Sequence, residues 1–269
     1  MYRSHWGLRE SPFRSCLDPR FFFQSPTHEE ALARLHFLVE ERRRLGLLLG
    51  ETGSGKSLTL EVFARELRRQ GKQLANLNLL GVDQHELLWL LAAELGANPD
   101  RSDDTFRLWR CVTDRLKENR YQQLDTVFLL DDADEASGEV LDMIVRLAQN
   151  DSSDASRLTI VLAATSKRLL CLHMRLLELA ELRIDLEPWE AIDTAGYLNR
   201  ALAQAGRKGE TFTDEATRRL HELCGGTPRK VTQLANLSLL AGAGRGLKCI
   251  DADTVESVYH ELGVINAVA

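Results

Sequence analysis

The chain has 269 residues, of which 44% are hydrophobic and 28% are charged. This composition is typical of a globular protein, and the length is sufficient for one large domain or two smaller ones. The formal net charge of −6 argues against a chain that as a whole coats nucleic acid or an anionic membrane, although it is compatible with a local basic patch.

Residues 26–187 show a repeated change between helical and strand patterns. A helix is predicted in SPTHEEALARLHFLVEERRR, a buried strand in LGLLLG, and a helix from about Lys56 to Gln70. Further strands are predicted in QLANLNLL, DTVFLLD, RLTIVLAAT and LRIDLEP, and further helices in QHELLWLLAAELG, DTFRLWRCVTDRLKEN and GEVLDMIVRLAQN. Strands separated by helices indicate crossover connections, so we expect an α/β fold with a mostly parallel sheet and helices on both faces.

The pattern changes after Pro188. Four helical patterns follow with no strand pattern between them, namely AIDTAGYLNRALAQAG, DEATRRLHELCGG, TPRKVTQLANLSLLAGAG and DADTVESVYHELG. We therefore predict a domain boundary near Glu187–Glu190, with an α/β domain in residues 1–187 and a small all-helical domain in residues 188–269.

The segment GETGSGKS, residues 50–57, matches the pattern G-x-x-x-x-G-K-[ST] between a predicted strand and a predicted helix. Its glycines allow the backbone N–H groups to surround phosphate oxygens, and the helix that follows presents its positive end to the same anion. Lys56 can reach the β- and γ-phosphates, and the Ser57 hydroxyl can bind Mg²⁺. The candidate nucleotide-binding residues are Gly50, Glu51, Thr52, Gly53, Ser54, Gly55, Lys56, Ser57 and Leu58.

The segment VFLLDD supplies candidate carboxylates at the end of a buried strand. Asp131 is predicted to hold Mg²⁺, since Asp134 or Ser137 is better placed to cap the next helix. Asp132 is the candidate base that polarises the attacking water. Its carboxylate lies roughly 1.5 Å further back than that of a glutamate, and a misplacement of about an ångström can cost on the order of a hundredfold in rate. We therefore expect slow hydrolysis unless Glu135 compensates.

Two further side chains are candidates for the same pocket. Thr165 ends the strand TIVLAAT, where it could orient the attacking water or simply cap the following helix. In GGTPRKV, Thr227 and Pro228 begin a helix, so Arg229 lies in the first turn, where a cation gains nothing from the helix dipole. Arg229 is therefore either an ordinary surface arginine or a residue that reaches the γ-phosphate from the helical domain.

Together these segments resemble the AAA+ ATPase class, in which a P-loop α/β domain is followed by a helical lid. They are most similar to the ExeA/GspA-type secretion ATPases, which are grouped with TniB-type transposition ATPases. The resemblance covers residues 2–262 and rests on MYRSHWGLRESPF, DPRFFF, THEEALARL, GETGSGKS, DTAGYLNRAL, FTDEA and GGTPRKVTQLANLSLLA.

The resemblance implies several roles. It assigns Arg229 to the sensor-2 position and Thr165 to the sensor-1 position, and it implies that the segment before the phosphate loop helps to enclose the adenine. It also implies ring or filament assembly of identical subunits, in which an arginine of one subunit completes the site of its neighbour. Arg183 or Arg175 is the candidate for that arginine.

Two departures from the group concern function. The usual Asp-Glu pair is Asp131-Asp132 in this chain, which disfavours fast hydrolysis. Secretion members usually continue into a membrane span and a peptidoglycan-binding domain, and residues 1–269 include neither, so we do not expect a wall-associated secretion role.

The remaining features indicate a cytoplasmic protein. The five cysteines are scattered, which is typical of reduced thiols, and no apolar run approaches the ~20 residues of a membrane span. The sequence thus predicts an ATP- and Mg²⁺-dependent hydrolase whose slow turnover drives lid movement and subunit assembly on an unknown protein partner. The alternatives are a nucleotide-gated recruitment switch and a DNA-associated transposition-type regulator, for which Arg42–Arg44 are possible DNA contacts.

Overall fold

The computed structural model describes residues 2–14, 16–151 and 155–266. The strands are β1 (Leu45–Gly50), β2 (Gln73–Asn78), β3 (Thr126–Asp131), β4 (Leu158–Thr165) and β5 (Leu182–Leu186). The helices are α1 (Tyr2–Trp6), α2 (Pro26–Glu40), α3 (Lys56–Arg69), α4 (Gln84–Glu94), α5 (Thr105–Tyr121), α6 (Gly138–Ala148), α7 (Met174–Leu179), α8 (Ala191–Gln204), α9 (Asp214–Cys224), α10 (Pro228–Gly244) and α11 (Ala252–Asn266).

Within the described residues the strands form one five-stranded sheet in the order β2-β3-β4-β1-β5. Every pairing in it is parallel. The predicted α/β fold with a parallel sheet and a helical C-terminal segment is therefore confirmed. Because the strands are parallel, their carboxyl ends lie at the same edge of the sheet, and this edge collects the side chains that follow each strand.

Both faces of the sheet are covered, because β1 and β3 are buried at every position. On one face Leu47, Leu49, Phe128 and Leu130 belong to the core that α4–α7 complete. On the other face α2 packs on β1, where a Cβ atom added to Gly46 would collide with the fully buried side chain of Leu38. The continuous apolar runs in the sequence correspond to this two-sided burial.

We expect Gly46→Ala to lower the free energy of unfolding by about 1–3 kcal/mol, because the added methyl group overpacks the contact with Leu38. Thermal unfolding measures the change, and each kcal/mol corresponds to about 2–4 °C for a chain of this size. Gly138→Ala is the matched control, since a Cβ atom there would meet nothing within 4 Å. Equal melting temperatures for the two variants would contradict the predicted contact.

Contacts divide the chain into two compact units. One comprises the described residues within Pro26–Thr52 and Lys56–Leu186, and the other those within Met1–Ser25, Gly53–Gly55 and Glu187–Ala269. The break after Leu186 lies next to the boundary that we predict near Glu187–Glu190. The N-terminal segment, however, which the sequence predicts to be part of the α/β domain, clusters with α8–α11.

The N-terminal segment is part of the core of this second unit. Trp6 is 1% exposed, and its indole N–H donates to the carbonyl of Leu239 at 2.8 Å. Leu8 and Phe13 are buried in the same cluster as Trp189 and Tyr197. The core of this unit is therefore built from two segments that are far apart in the sequence, and hydrophobic burial stabilises their association.

Candidate functional site

The loop after β1 folds around its own lysine. Gly53 and Gly55 have φ angles of +85° and +103°, which residues with a side chain rarely adopt. Lys56 is only 7% exposed, and its Nζ donates to the carbonyl oxygens of Gly50 at 2.9 Å and Glu51 at 3.3 Å. The ammonium group is thus fixed inside the loop predicted to bind phosphate.

Asp131 ends β3 at the same edge of the sheet and is 7% exposed. Burial raises the pKa of its carboxyl group, and the negative charge of Asp132 acts in the same direction, whereas a hydrogen bond with the Ser57 side chain opposes the rise. The structure therefore brings Ser57 and Asp131 together. A hydroxyl and a carboxylate are hard oxygen ligands that suit Mg²⁺, so these two residues fit the predicted metal.

Asp132 has a left-handed backbone, with φ +52° and ψ +41°. Aspartate adopts this region more readily than most residues with a side chain. Its Oδ2 accepts a hydrogen bond at 2.8 Å from Nδ2 of Asn78, the last residue of β2. The Oδ1 of Asn78 in turn accepts from the N–H of Leu80 at 2.8 Å.

Asn78 is not among the site residues predicted from the sequence. The available signal was a polar residue at the end of a predicted strand, QLANLN, but its use requires knowing that β2 lies next to β3. The register pairs Asn78 with Asp131, which places the amide beside the two aspartates.

Thr165 ends β4, the strand next to β3, as predicted from the sequence. Its backbone N–H donates to Oδ1 of Asp134 at 3.1 Å. A short 3₁₀ segment, Ser166–Cys171, follows at once, and Thr165 makes no side-chain cap to it. In this segment Lys167 pairs with Glu51 of the phosphate loop at 3.1 Å, and Arg168 pairs with Glu135.

The candidate arginines lie in different places. Arg183 is on β5 opposite Leu47, three residues before β1 ends at Gly50, and its guanidinium binds Asp185. Arg175, in the first turn of α7, is exposed and makes no side-chain hydrogen bond or ion pair within the described parts of the chain. The structure thus does not bring Arg183 to the edge where Asp131 lies, and a role of either arginine in a neighbouring subunit stays a prediction.

Arg229 belongs to the unit that also includes residues 53–55. It is exposed in the first turn of α10, whose N-cap is Thr227 and whose first residue is Pro228. Its backbone N–H donates to the carbonyl of Gly53 at 3.1 Å. The residue is therefore next to a glycine of the phosphate loop.

Comparison with known protein families decides the class of this site. Residues 39–172 match the family model described as AAA domain, and this range includes the phosphate loop, Asp131, Asp132 and Thr165. The chain carries an AAA domain. Such a domain binds nucleotide at a phosphate loop. Residues 50–57 resemble this loop, and the residues around them match the rest of the domain.

Similarity to a known protein also covers residues outside the AAA domain. General secretion pathway protein A of Aeromonas hydrophila is 27% identical, over 98% of this chain and 49% of that protein. The chain thus spans about half the length of this relative. None of the helices in the described residues is long and apolar enough to cross a membrane.

Solved structures share the fold of the AAA domain and of the helices that follow it. Cdc6p from Pyrobaculum aerophilum aligns with a TM-score of 0.66 and 19% identity, over 87% of this chain and 67% of that one. The Drosophila ORC bound to DNA aligns with a TM-score of 0.71 and 17% identity, over 94% and 64% of the two chains. At this level of identity the likeness establishes the fold.

Proposed function

We propose that the protein binds Mg²⁺–ATP at the phosphate loop and hydrolyses it slowly. The observation that carries this proposal is the ammonium of Lys56, which is buried inside the phosphate loop at the edge of the sheet where Asp131 ends β3. A phosphate-binding cation and two oxygen ligands for Mg²⁺ meet at one edge of the sheet, as phosphoryl transfer from a nucleotide requires.

Each residue of the candidate site has a separate role in this proposal. Lys56 exchanges its hydrogen bonds with Gly50 and Glu51 for phosphate oxygens, and the loop N–H groups surround the same anion. Ser57 and Asp131 hold Mg²⁺, which neutralises charge that develops on the phosphate oxygens. Asp132 accepts the proton of the attacking water, and the Asn78 amide orients its carboxylate.

The helical unit has a regulatory task in the same proposal. The hydrogen bond between Arg229 N–H and the Gly53 carbonyl supports a role of Arg229 in sensing the phosphates. ATP then favours a closed lid and assembly with further copies of the chain on a protein partner, and hydrolysis reverses both. Arg175 is exposed and makes no side-chain hydrogen bond or ion pair with the residues that the structure describes, so it is available to complete the site of a neighbouring copy.

The role of Asp132 provides the test of this function. We expect Asp132→Asn to lower ATP turnover at least tenfold, because asparagine tolerates the left-handed backbone but cannot accept the proton. Asp132→Glu should raise turnover severalfold, since its carboxylate reaches further toward the water. Steady-state hydrolysis at high protein concentration measures both, and Asp142→Asn on α6 serves as the surface control.

Two results would separate the competing functions. If the natural chain binds ATP without hydrolysing it, and Asp132→Glu introduces turnover, the protein is a nucleotide-gated recruitment switch. If Asp132→Asn turns over like the natural chain, Asp132 is not the base and its assignment is wrong.

A DNA-associated regulator is the second candidate, favoured by the fold shared with an ORC that is bound to DNA. ATP-dependent DNA binding whose affinity falls steeply with salt would support it. Equal DNA binding with and without ATP, or none, would leave the protein partner as the better proposal.

A further inference from the structure

Asp134 is a buried carboxylate to which the reaction scheme above assigns no role. It lies in the short 3₁₀ turn Ala133–Glu135, directly after the aspartates that end β3, and it is 5% exposed. A buried charge costs free energy unless it is paired and hydrogen-bonded, so its contacts indicate what it is used for.

One oxygen of Asp134 fixes the end of β4. The paired residues of β3 and β4 run from Thr126 and Leu158 to Leu130 and Leu162, so Thr165 lies three residues beyond this ladder. The Thr165 N–H donates instead to Oδ1 of Asp134, at 3.1 Å. The side chain thus continues the connection between the two strands where the backbone ladder has stopped.

Arg168 supplies the counter-charge. Its Nε lies 3.7 Å from the other carboxylate oxygen of Asp134, and its guanidinium also donates to the Asp134 carbonyl at 3.1 Å. The same guanidinium pairs with Glu135. A single arginine from the segment after Thr165 therefore binds both acidic residues of the turn after Asp132.

From these contacts we infer that Asp134 is a positioning residue, which sets the distance between Thr165 and the Asp131-Asp132 pair. The inference rests on the proposed ATP hydrolysis and names a further residue of that site. Only one residue separates Asp134 from Asp132. The hydrogen bond from the Thr165 N–H to Asp134 therefore links Thr165, through a short stretch of chain, to the proposed base. A shift of about an ångström in such a group can cost up to about a hundredfold in rate.

The same contacts determine the role of Glu135. The sequence leaves open whether Glu135 compensates for the short Asp132 side chain. In the structure its carboxylate is held by Arg168, so it serves to anchor the arginine. Asp132 therefore remains the proposed base, and Glu135 contributes by holding Arg168 in place.

The experiment compares Asp134→Ala with Asp125→Ala. Asp125 is also a largely buried carboxylate with cationic partners, namely Arg42, Lys72 and Arg157, but it precedes β3 at the opposite edge of the sheet. Both variants should lose stability, whereas only Asp134→Ala should lower kcat, by about tenfold, with less than a twofold change in the KM for ATP. Asp134→Asn keeps an acceptor for the Thr165 N–H and should lose only roughly threefold.

A double variant tests whether Asp134 acts through Thr165. We expect Asp134→Ala combined with Thr165→Ala to turn over like Thr165→Ala alone, because coupled residues have non-additive effects. Additive losses, or a kcat for Asp134→Ala equal to that of Asp125→Ala, would overturn the inference.

If Asp134→Ala does not fold, Arg168→Gln tests the positioning role of Asp134 instead. Its control is Arg219→Gln on α9, which likewise removes an arginine bound to two carboxylates, those of Glu222 on the same helix and Glu256 on α11. A lower kcat in Arg168→Gln alone supports the inference, and equal values refute it. If the natural chain and Asp125→Ala both fail to hydrolyse ATP, the proposed hydrolysis is overturned and this inference falls with it. This result differs from a loss of turnover that is confined to one variant.

Discussion

We expect Lys56→Ala to reduce ATP turnover by at least about 10²–10³-fold, which is the loss that follows removal of a donor aimed at developing negative charge. The ammonium of Lys56 is buried and donates to two carbonyl oxygens of its own loop. These contacts hold the side chain in the loop before nucleotide enters, so little reorganisation is needed when phosphate oxygens replace them. Alanine removes the charge from a place that no other lysine or arginine of the loop can fill.

Steady-state hydrolysis together with binding of a fluorescent ATP analogue measures this effect. Lys117→Ala is the control, since Lys117 forms an exposed ion pair with Asp114 on α5. We expect that variant to bind and hydrolyse ATP like the natural chain. If Lys56→Ala retains more than a tenth of the natural turnover, the observed activity does not arise at this loop.

Asp131→Asn should lower Mg²⁺-dependent turnover by about a hundredfold or more, because a neutral amide replaces the carboxylate predicted to hold the metal. The same change should stabilise the nucleotide-free fold at neutral pH. Burial raises the pKa of Asp131, so the charged carboxylate is less favourable in the folded chain than in the unfolded one. Asparagine keeps the shape of the side chain without that charge.

The direction of the pH dependence follows from linkage. A carboxyl group whose pKa is raised on folding contributes most to stability below its ordinary pKa near 3.8, and this contribution is lost as the pH rises through the pKa of the folded chain. The gain in melting temperature of Asp131→Asn over the natural chain should therefore be larger at neutral pH than near pH 4.

Thermal unfolding with and without ATP separates metal binding from packing. The natural chain should gain more stability from ATP with Mg²⁺ than from ATP with a chelator, whereas Asp131→Asn should gain the same in both. A variant that is less stable than the natural chain at neutral pH would contradict the burial argument. A variant that keeps the Mg²⁺-dependent gain would contradict the metal assignment.

The fold could be predicted from the sequence because parallel strands buried on both faces leave continuous apolar runs, such as LGLLLG and VFLL, between helical patterns. The position of Lys56, Ser57 and Asp131 at the carboxyl edge of the sheet could be predicted, because each ends or follows one such strand. Asn78 could not, because its contact with Asp132 depends on the order of strands across the sheet, which local patterns do not determine.

Long-range packing explains the other differences. No periodic pattern in residues 2–25 indicates that Trp6 inserts beside Leu239, since that contact is made by two segments separated by 233 positions. The contact between Asp134 and Thr165 could not be predicted for the same reason. In the sequence, a carboxylate in a turn cannot be distinguished from a helix cap unless its partner is known. Sequence patterns report local geometry and burial, whereas these contacts depend on how distant segments come together.

The split composition of the second unit has a consequence for biosynthesis. A ribosome releases the chain from its N-terminus, so Trp6, Leu8 and Phe13 leave the exit tunnel long before α8–α11 exist to receive them. Residues 26–186 can complete their sheet in the meantime, because all its strands have by then been made. These three side chains cannot reach their native core until α8–α11 have been made, and during that interval they are exposed hydrophobic surface of the kind that chaperones bind.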